Sequence, residues 1–181
     1  MILKVIVVVC VCAIIGLVAF QFVDPNLDLG AGGGSTTIVD DKTSITIGVT
    51  GEVSSPGDYV FTEDKPTMED LLGASGGLNT NGDDRCFNLE AVLEANSSYY
   101  IPPKYDNSNI CSNEPISKIS INDGTKEELL TVNGFGDAIA TSIISYREAN
   151  GVFYTLEAIM NVSGIGYAKF NMCKNYIILH D

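Results

Sequence analysis

An apolar run opens the chain. From Val5 to Phe20 no side chain is charged or strongly polar, and extension to Val23 admits only Gln21. At ~1.5 Å per residue, such a helix spans about 28 Å, close to the roughly 30 Å hydrocarbon core of a bilayer. The pattern predicts a transmembrane anchor helix within residues 1–23. Lys4 precedes the run and Asp24 and Asp28 follow it, which places the N-terminus in the cytoplasm and the remainder outside. A cleaved signal peptide has a shorter apolar region ending in small residues. Here the run ends Leu17-Val18-Ala19-Phe20-Gln21-Phe22-Val23. Cys10 and Cys12 each follow a valine, where a lipoprotein signal wants a small residue.

Residues 24–43 read as a flexible Gly-rich linker, with Pro25, Gly30 and Gly32-Gly33-Gly34-Ser35. The period then becomes two. Ile45, Ile47, Val49 and Val53 alternate with polar or small residues, and Tyr59 and Phe61 resume the alternation after a Pro56-Gly57 turn; both stretches predict half-buried strands. Thr67 with Asp70 three positions on opens a helix whose apolar side is Met68, Leu71 and Leu72, and Gly76-Gly77 ends it. Asn88 is expected to cap a short helical turn holding Leu89, Val92 and Leu93. Tyr99-Tyr100-Ile101 reads as a strand stopped by Pro102-Pro103. The order of elements predicts a small α+β domain over residues 44–104, with a second linker over 105–117.

The last third repeats at an offset of 30. Residues 125–149 laid on 155–179 give identities at Thr125/Thr155, Glu127/Glu157, Val132/Val162, Gly134/Gly164, Gly136/Gly166, Ala138/Ala168 and Tyr146/Tyr176. A duplicated unit is the simplest source of such a pattern. Each copy reads helix, tight turn, helix. Thr125 and Glu128 form a capping box, Asn133-Gly134-Phe135-Gly136 breaks the first copy, and a second helix runs from Asp137 to a stop at Asn150-Gly151. The second copy turns at Ser163-Gly164-Ile165-Gly166 and continues from Tyr167 to about Tyr176. Residues 118–181 are therefore an all-α domain.

Charge narrows what these parts can do. The chain of 181 residues carries 23 acidic and 10 basic side chains, a net charge of −13. Residues 24–114 hold 16 of the acids and 4 of the bases, whereas residues 115–181 hold 7 and 5. A histone-like whole-chain polycation is excluded, and an anion site belongs at the ends of the chain. With one histidine, His180, no mechanism turns on a central imidazole. No C-x-x-C spacing exists among the five cysteines, so no zinc site is expected. Cys86 and Cys111 flank the end of the α+β segment and are candidates for a disulfide in an exported protein. Cys173 aligns with Ile143 and is expected to be buried and free. Neither a catalytic residue set nor a cofactor motif is present, and no enzyme is expected.

The Gly-x-Gly turns carry the chemistry. Two glycines permit positive φ and close approach of a ligand to the backbone, and the apolar residue between them plugs the helix interface. The amides at the start of the following helix then point outward together, an anion site that needs no basic side chain. Two such turns, one per repeat, suit two phosphates. The expected contacts are Asn133, Gly134, Phe135, Gly136, Ser163, Gly164, Ile165, Gly166 and Lys169. Positive φ is expected at Gly164 and Gly166 alike. Hairpin 1, which has Asp137, is expected to bind more weakly than hairpin 2, which has Lys169. Lys126, Arg147 and Lys174 are further basic groups for which an ordinary solvated role is expected.

Two resemblances rest on these residues. Gly51-Glu52-Val53, Pro56-Gly57-Asp58-Tyr59, Ser75-Gly76-Gly77-Leu78, Asn88-Leu89 and Tyr100-Ile101-Pro102, in that order, resemble an SLBB domain, which implies a β-grasp fold on an exported protein. The stretch from Ile119-Ser120-Ile121-Asn122 through Gly134-Phe135-Gly136, Tyr146-Arg147 and Asn150-Gly151-Val152-Phe153 to Gly164-Ile165-Gly166 is similar to the helix-hairpin-helix domain of the ComEA family. Anchor, SLBB domain and paired hairpins occur in that order in the family. The resemblance implies a single-pass membrane receptor for double-stranded DNA, bound without sequence preference for uptake in transformation. It implies as partners the lipid bilayer through residues 5–23, DNA-uptake channel proteins, and self-association through the SLBB domain. The competing reading is an envelope-anchored structural or glycan-binding protein acting through the SLBB domain, with no DNA role.

Overall fold

The structure, a computed structural model, describes residues 44–106 and 114–181. The expected anchor and tether, and Cys111, lie outside them. Among the described residues no helix is long and apolar enough to cross a membrane. The described residues belong to one compact unit, Asp41–Asp181, of mixed α and β structure.

The alternation from Ile45 forms strand β1 (Ile45–Gly51), which pairs antiparallel with β2 (Gly57–Phe61), Ile47 opposite Tyr59. Ile47 and Val49 are fully buried while Thr46 and Thr50 face outward. Helix α1 (Met68–Ala74) starts on a capping box: the Asp70 amide donates to Thr67 Oγ1, and Asp70 Oδ2 accepts from the Thr67 amide at 2.8 Å. The Thr67 amide and hydroxyl, both donating to Oδ2, hold the Asp70 carboxyl below its usual range. Met68, Leu71 and Leu72 are buried, as their spacing predicts. The chain returns in β3 (Ser98–Ile101), parallel to β1, giving the sheet order β2-β1-β3.

The helical turn expected at Asn88 does not form. Its Oδ1 accepts from the Glu90 amide at 2.9 Å, a local turn, and Leu89 and Val92 are exposed. The segment instead serves α1, whose first amides, at Met68 and Glu69, donate to the carbonyls of Ala91 and Leu89. Capping another helix and burying Leu93 outweighs one turn of local helix. The expected linker also makes structure: β4 (Tyr105–Asp106) and β5 (Glu114–Pro115) pair antiparallel.

In the repeat region, β6 (Ile119–Ser120) leads to α2 (Lys126–Leu129), again on a capping box, of Thr125 and Glu128. Helix α3 (Asp137–Asn150) ends at Gly151, where φ is +86°. The second copy departs from expectation at both ends. Its first helix is a 3-10 helix, Glu157–Asn161, and its second, α4 (Tyr167–Cys173), stops short of Tyr176. The cause is the last strand, β7 (Ile177–Ile178), which pairs parallel with β6, so residues 118–181 are not all-α as expected but carry a two-stranded sheet. Ile177, Ile178 and Leu179 are almost wholly buried, each burial worth roughly 1.5–3 kcal/mol. That gain exceeds what one more helical turn supplies.

The two halves share one hydrophobic core. Phe87 bridges Thr155, and the Leu179 amide donates to the Arg85 carbonyl at 2.9 Å. The free edge of β3 is covered: the Tyr100 amide donates to Glu157 Oε1 at 2.7 Å, and the Tyr100 hydroxyl to Asn175 Oδ1 at 2.9 Å. Lys174 Nζ stands 3.9 Å above the Tyr100 ring. Asp83, with no exposed surface, accepts from Arg85 twice at 3.0 Å and from the buried Lys118 ammonium at 2.7 Å. Burial pushes the Asp83 carboxyl up, but the hydrogen bonds from Arg85 and Lys118 outweigh it and hold it at about 2. Cys86 lies beside this cluster as a buried free thiol, Sγ 3.9 Å from Lys118 Nζ, and burial raises it to about 12. Cys173 is likewise buried and free.

Candidate nucleic-acid interface

The two turns adopt one backbone. Gly134 and Gly164 have φ of +94° and +91°, a region that costs any side chain with a Cβ. Phe135 and Ile165 between the glycines are 6% and 3% exposed, so the plug is present in both copies. The second glycines differ from expectation. Gly136 and Gly166 have φ of −101° and −104°, conformations open to any residue, and a Cβ on either meets nothing within 4 Å. Neither backbone strain nor packing inside the protein accounts for glycine there. Glycine is a favoured residue at the start of a helix, and without a Cβ it also keeps open the space outside, between the turn and whatever approaches it.

These positions also carry unused donors. Gly136 and Gly166 are the N-caps of α3 and α4, and no side chain caps either helix. The first amides to bond back into each helix are those of Ile139 and Ala140, and of Lys169 and Phe170, all to the N-cap carbonyl. The amides of residues 136–138 and 166–168 have no acceptor among the described residues, and unpaired donors at a helix start suit an anion.

The repeats interlock reciprocally. A Cβ on Gly134 would lie 3.7 Å from Lys169 Cγ and 3.9 Å from Met172 Cε, whereas one on Gly164 would lie 3.7 Å from Ile139 Cγ1. Ile139 and Lys169 are repeat partners. Each turn therefore rests on the second helix of the other copy, which brings the starts of α3 and α4 close together. Asn133 and Ser163 are exposed just before their turns.

Side chains make the two turns chemically unlike. Asp137 follows hairpin 1 and pairs with Lys126 at 2.7 Å, so its charge is partly compensated. Hairpin 2 is followed by Tyr167, 73% exposed, and by Lys169. A groove of about 680 Å³ beside hairpin 1 is lined by Thr131, Asn133, Asn175 and the carboxylates Glu52, Asp106 and Glu114. The repeat-related furrow beside hairpin 2, about 390 Å³, is lined by hydroxyls, amides and Tyr146 with no charged residue. Of the other bases, Arg147 donates to the Ile121 carbonyl at 3.2 Å and Lys174 covers Tyr100, so both hold structure.

All nine expected contacts thus sit at the paired turns, seven of them exposed or half-exposed and two, Phe135 and Ile165, buried beneath. Tyr167, the repeat partner of Asp137 just after a turn glycine, stands exposed beside these contacts and is not among those expected from the sequence.

Comparison with known proteins agrees with this geometry. The family model described as helix-hairpin-helix motif matches residues 114–178. ComE operon protein 1 of Bacillus subtilis is 33% identical over 144 residues, covering 74% of this chain and 69% of that protein. Endonuclease/exonuclease/phosphatase family domain-containing protein 1 of Homo sapiens, and its counterpart in Mus musculus, are 42% identical over 67 residues, 37% of this chain but 11% of theirs. That short match bears on a part of those proteins alone, while the Bacillus relative aligns along most of both chains, and on this ground the chain belongs to the ComEA family.

Proposed function

We propose that this protein is a membrane-anchored receptor that binds double-stranded DNA without sequence preference, through phosphates held at the two hairpin turns, and delivers it for uptake in transformation. Residues 5–23 are the anchor, with the N-terminus in the cytoplasm and the rest facing outward. Residues 44–104 are an SLBB domain of β-grasp type that carries the hairpins away from the bilayer, and a DNA-uptake channel is the downstream partner. The observation that carries the reading is the second glycine of each turn, which nothing within the fold requires. A phosphate oxygen accepting from outward amides needs that space. Contacts of this kind position a duplex and read no bases. Membership of the ComEA family and the absence of a catalytic constellation in the sequence support a binder and not an enzyme.

The test is a gel shift of the full chain, and of residues 41–181, against duplexes of unrelated sequence. Residues 115–181 alone are unsuitable, because Lys118 and Leu179 are buried against the first half. Equal binding of all duplexes, abolished in Gly164→Val/Gly166→Val protein that circular dichroism shows to be folded, is the expected result. Undiminished binding by the folded variant would falsify it.

A further inference from the structure

The surface between the two turns has one large feature. The starts of α3 and α4 approach each other there, Lys169 beside Gly134 and Ile139 beside Gly164, and the repeat-related Ala138 and Ala168 in their first turns are both exposed. These small residues leave the surface low. Tyr167 rises from it, 73% exposed, at the position where the first repeat has Asp137. Nothing in the described chain hydrogen-bonds its hydroxyl or packs a second ring or cation on it. Met172, 52% exposed, lies further along α4 beside Gly134. An aromatic side chain left this far in water contributes little to the fold, since burial is what stabilises it. The other tyrosines of the repeat region have packing roles or lie at the groove edges: Tyr146 stacks on Phe153 with ring centroids 5.0 Å apart.

We infer that Tyr167 enters the groove of the duplex between the two held strands and packs against sugar and base edges there. The inference rests on the phosphate reading above and deepens it. Two turns that each hold a phosphate, joined by α4, set the duplex so that its groove faces Ala138, Ala168 and Tyr167. A flat ring on the low surface fills that groove by shape and apolar contact and reads no base pattern. Apolar wedges between phosphate contacts are a general means of gripping a duplex. The contact releases no counterion, so it supplies affinity that salt does not remove.

The chain has no tryptophan, so Tyr167→Trp in the full chain installs a single reporter. Anisotropy of a labelled 20-base-pair duplex reports binding, while indole emission and iodide quenching report the environment of residue 167. The expected result is retained binding, quenched emission, and a several-fold loss of iodide access on adding duplex. Tyr167→Ala should weaken binding about 5- to 20-fold with the same dependence on log salt, and Tyr167→Phe should match the parent. Because the residue is exposed, these variants keep the fold. Bound duplex with unchanged iodide access, or parental affinity in Tyr167→Ala, overturns the inference and leaves the phosphate reading standing. Absence of duplex binding by the parent overturns both.

Discussion

Hairpin 1 and hairpin 2 hold their first glycines at φ of +94° and +91° and bury an apolar plug behind each turn. Past the turn they diverge. Hairpin 1 presents Asp137, tied to Lys126, beside a groove with three carboxylates; hairpin 2 presents Tyr167 and Lys169 beside a furrow without charge. Duplication has kept the parts that set backbone geometry and released the parts that set electrostatics. On the proposed reading, the glycines of the repeat set where a phosphate would sit, and the residues after them set how firmly each copy would hold it.

The sharpest way to break the comparison is to place a Cβ in each cradle separately. Gly166→Val meets no internal neighbour and no forbidden φ, so the fold should be kept, with a loss of at most about 1 kcal/mol from the poorer helix cap. Loss of hydrogen bonds to a charged phosphate, about 1.5–3 kcal/mol, predicts roughly 10- to 100-fold weaker duplex binding. Gly136→Val, equally mild in the fold, should cost several-fold less. Equal losses at both positions in a titration by anisotropy would show the turns to be equivalent despite their side chains.

The repeats also separate Glu127 from its partner Glu157. Glu127 is exposed, whereas Glu157 is drawn into the seam to hold the Tyr100 amide. Burial pushes the Glu157 carboxyl up from 4.5 to about 7, with the Tyr100 amide and Lys174 acting against it. Below about 4.5 the group is protonated folded and unfolded alike. Between 4.5 and 7 the folded state keeps a proton the unfolded chain has lost, so stability falls as pH rises and the loss is complete above about 7. The full span is on the order of 3 kcal/mol. Glu157→Gln keeps an acceptor for Tyr100 and removes the charge. Its stability by urea unfolding should exceed the parent's at pH 8 and match it at pH 4; an identical pH profile for both proteins would place the titration elsewhere. Glu127→Gln should change neither value by more than about 0.5 kcal/mol.

How much of this was legible in the chain follows physical range. The alternation from Ile45, both capping boxes and the paired Gly-x-Gly turns are local, each fixed by residues within a few positions, and the structure contains them. The missed features are long-range. Asn88 lost its helical turn because the neighbouring carbonyls serve α1, and Tyr176 fell outside a helix because Ile177–Ile178 pairs with a strand some 58 residues earlier. Glycine itself was read too simply. Positive φ explains Gly134 and Gly164 alone, and only backbone angles separate those from Gly136 and Gly166.

Lys169 tests the charge half of the comparison with a smaller effect. Its stem lies along Gly134 while its chain position belongs to hairpin 2, so the residue stands beside both turns. Lys169→Ala should weaken binding to every duplex alike by a few-fold at low salt. The slope of log affinity against log salt should become shallower by about 0.9, one phosphate contact fewer. A slope unchanged within error removes Lys169 from the interface.

The smallest expected effect is at Asp137, and it decides whether hairpin 1 is weak by its backbone or by its charge. The Asp137 carboxylate is 77% exposed and meets Lys126 at 2.7 Å, a surface pair worth at most about 1 kcal/mol to the fold. Its negative charge stands at the first residue after the cradle, where it favours the helix and opposes a phosphate. Asp137→Asn should tighten duplex binding about 2- to 3-fold in low salt, and the gain should fade once the Debye length falls below about 10 Å near 0.1 M. Lys126→Ala should act in the opposite sense, because it leaves the carboxylate uncompensated. If Asp137→Asn leaves low-salt affinity unchanged while Gly136→Val still lowers it, hairpin 1 holds its phosphate through amides that Lys126 already shields, and the two turns are closer in strength than their side chains suggest.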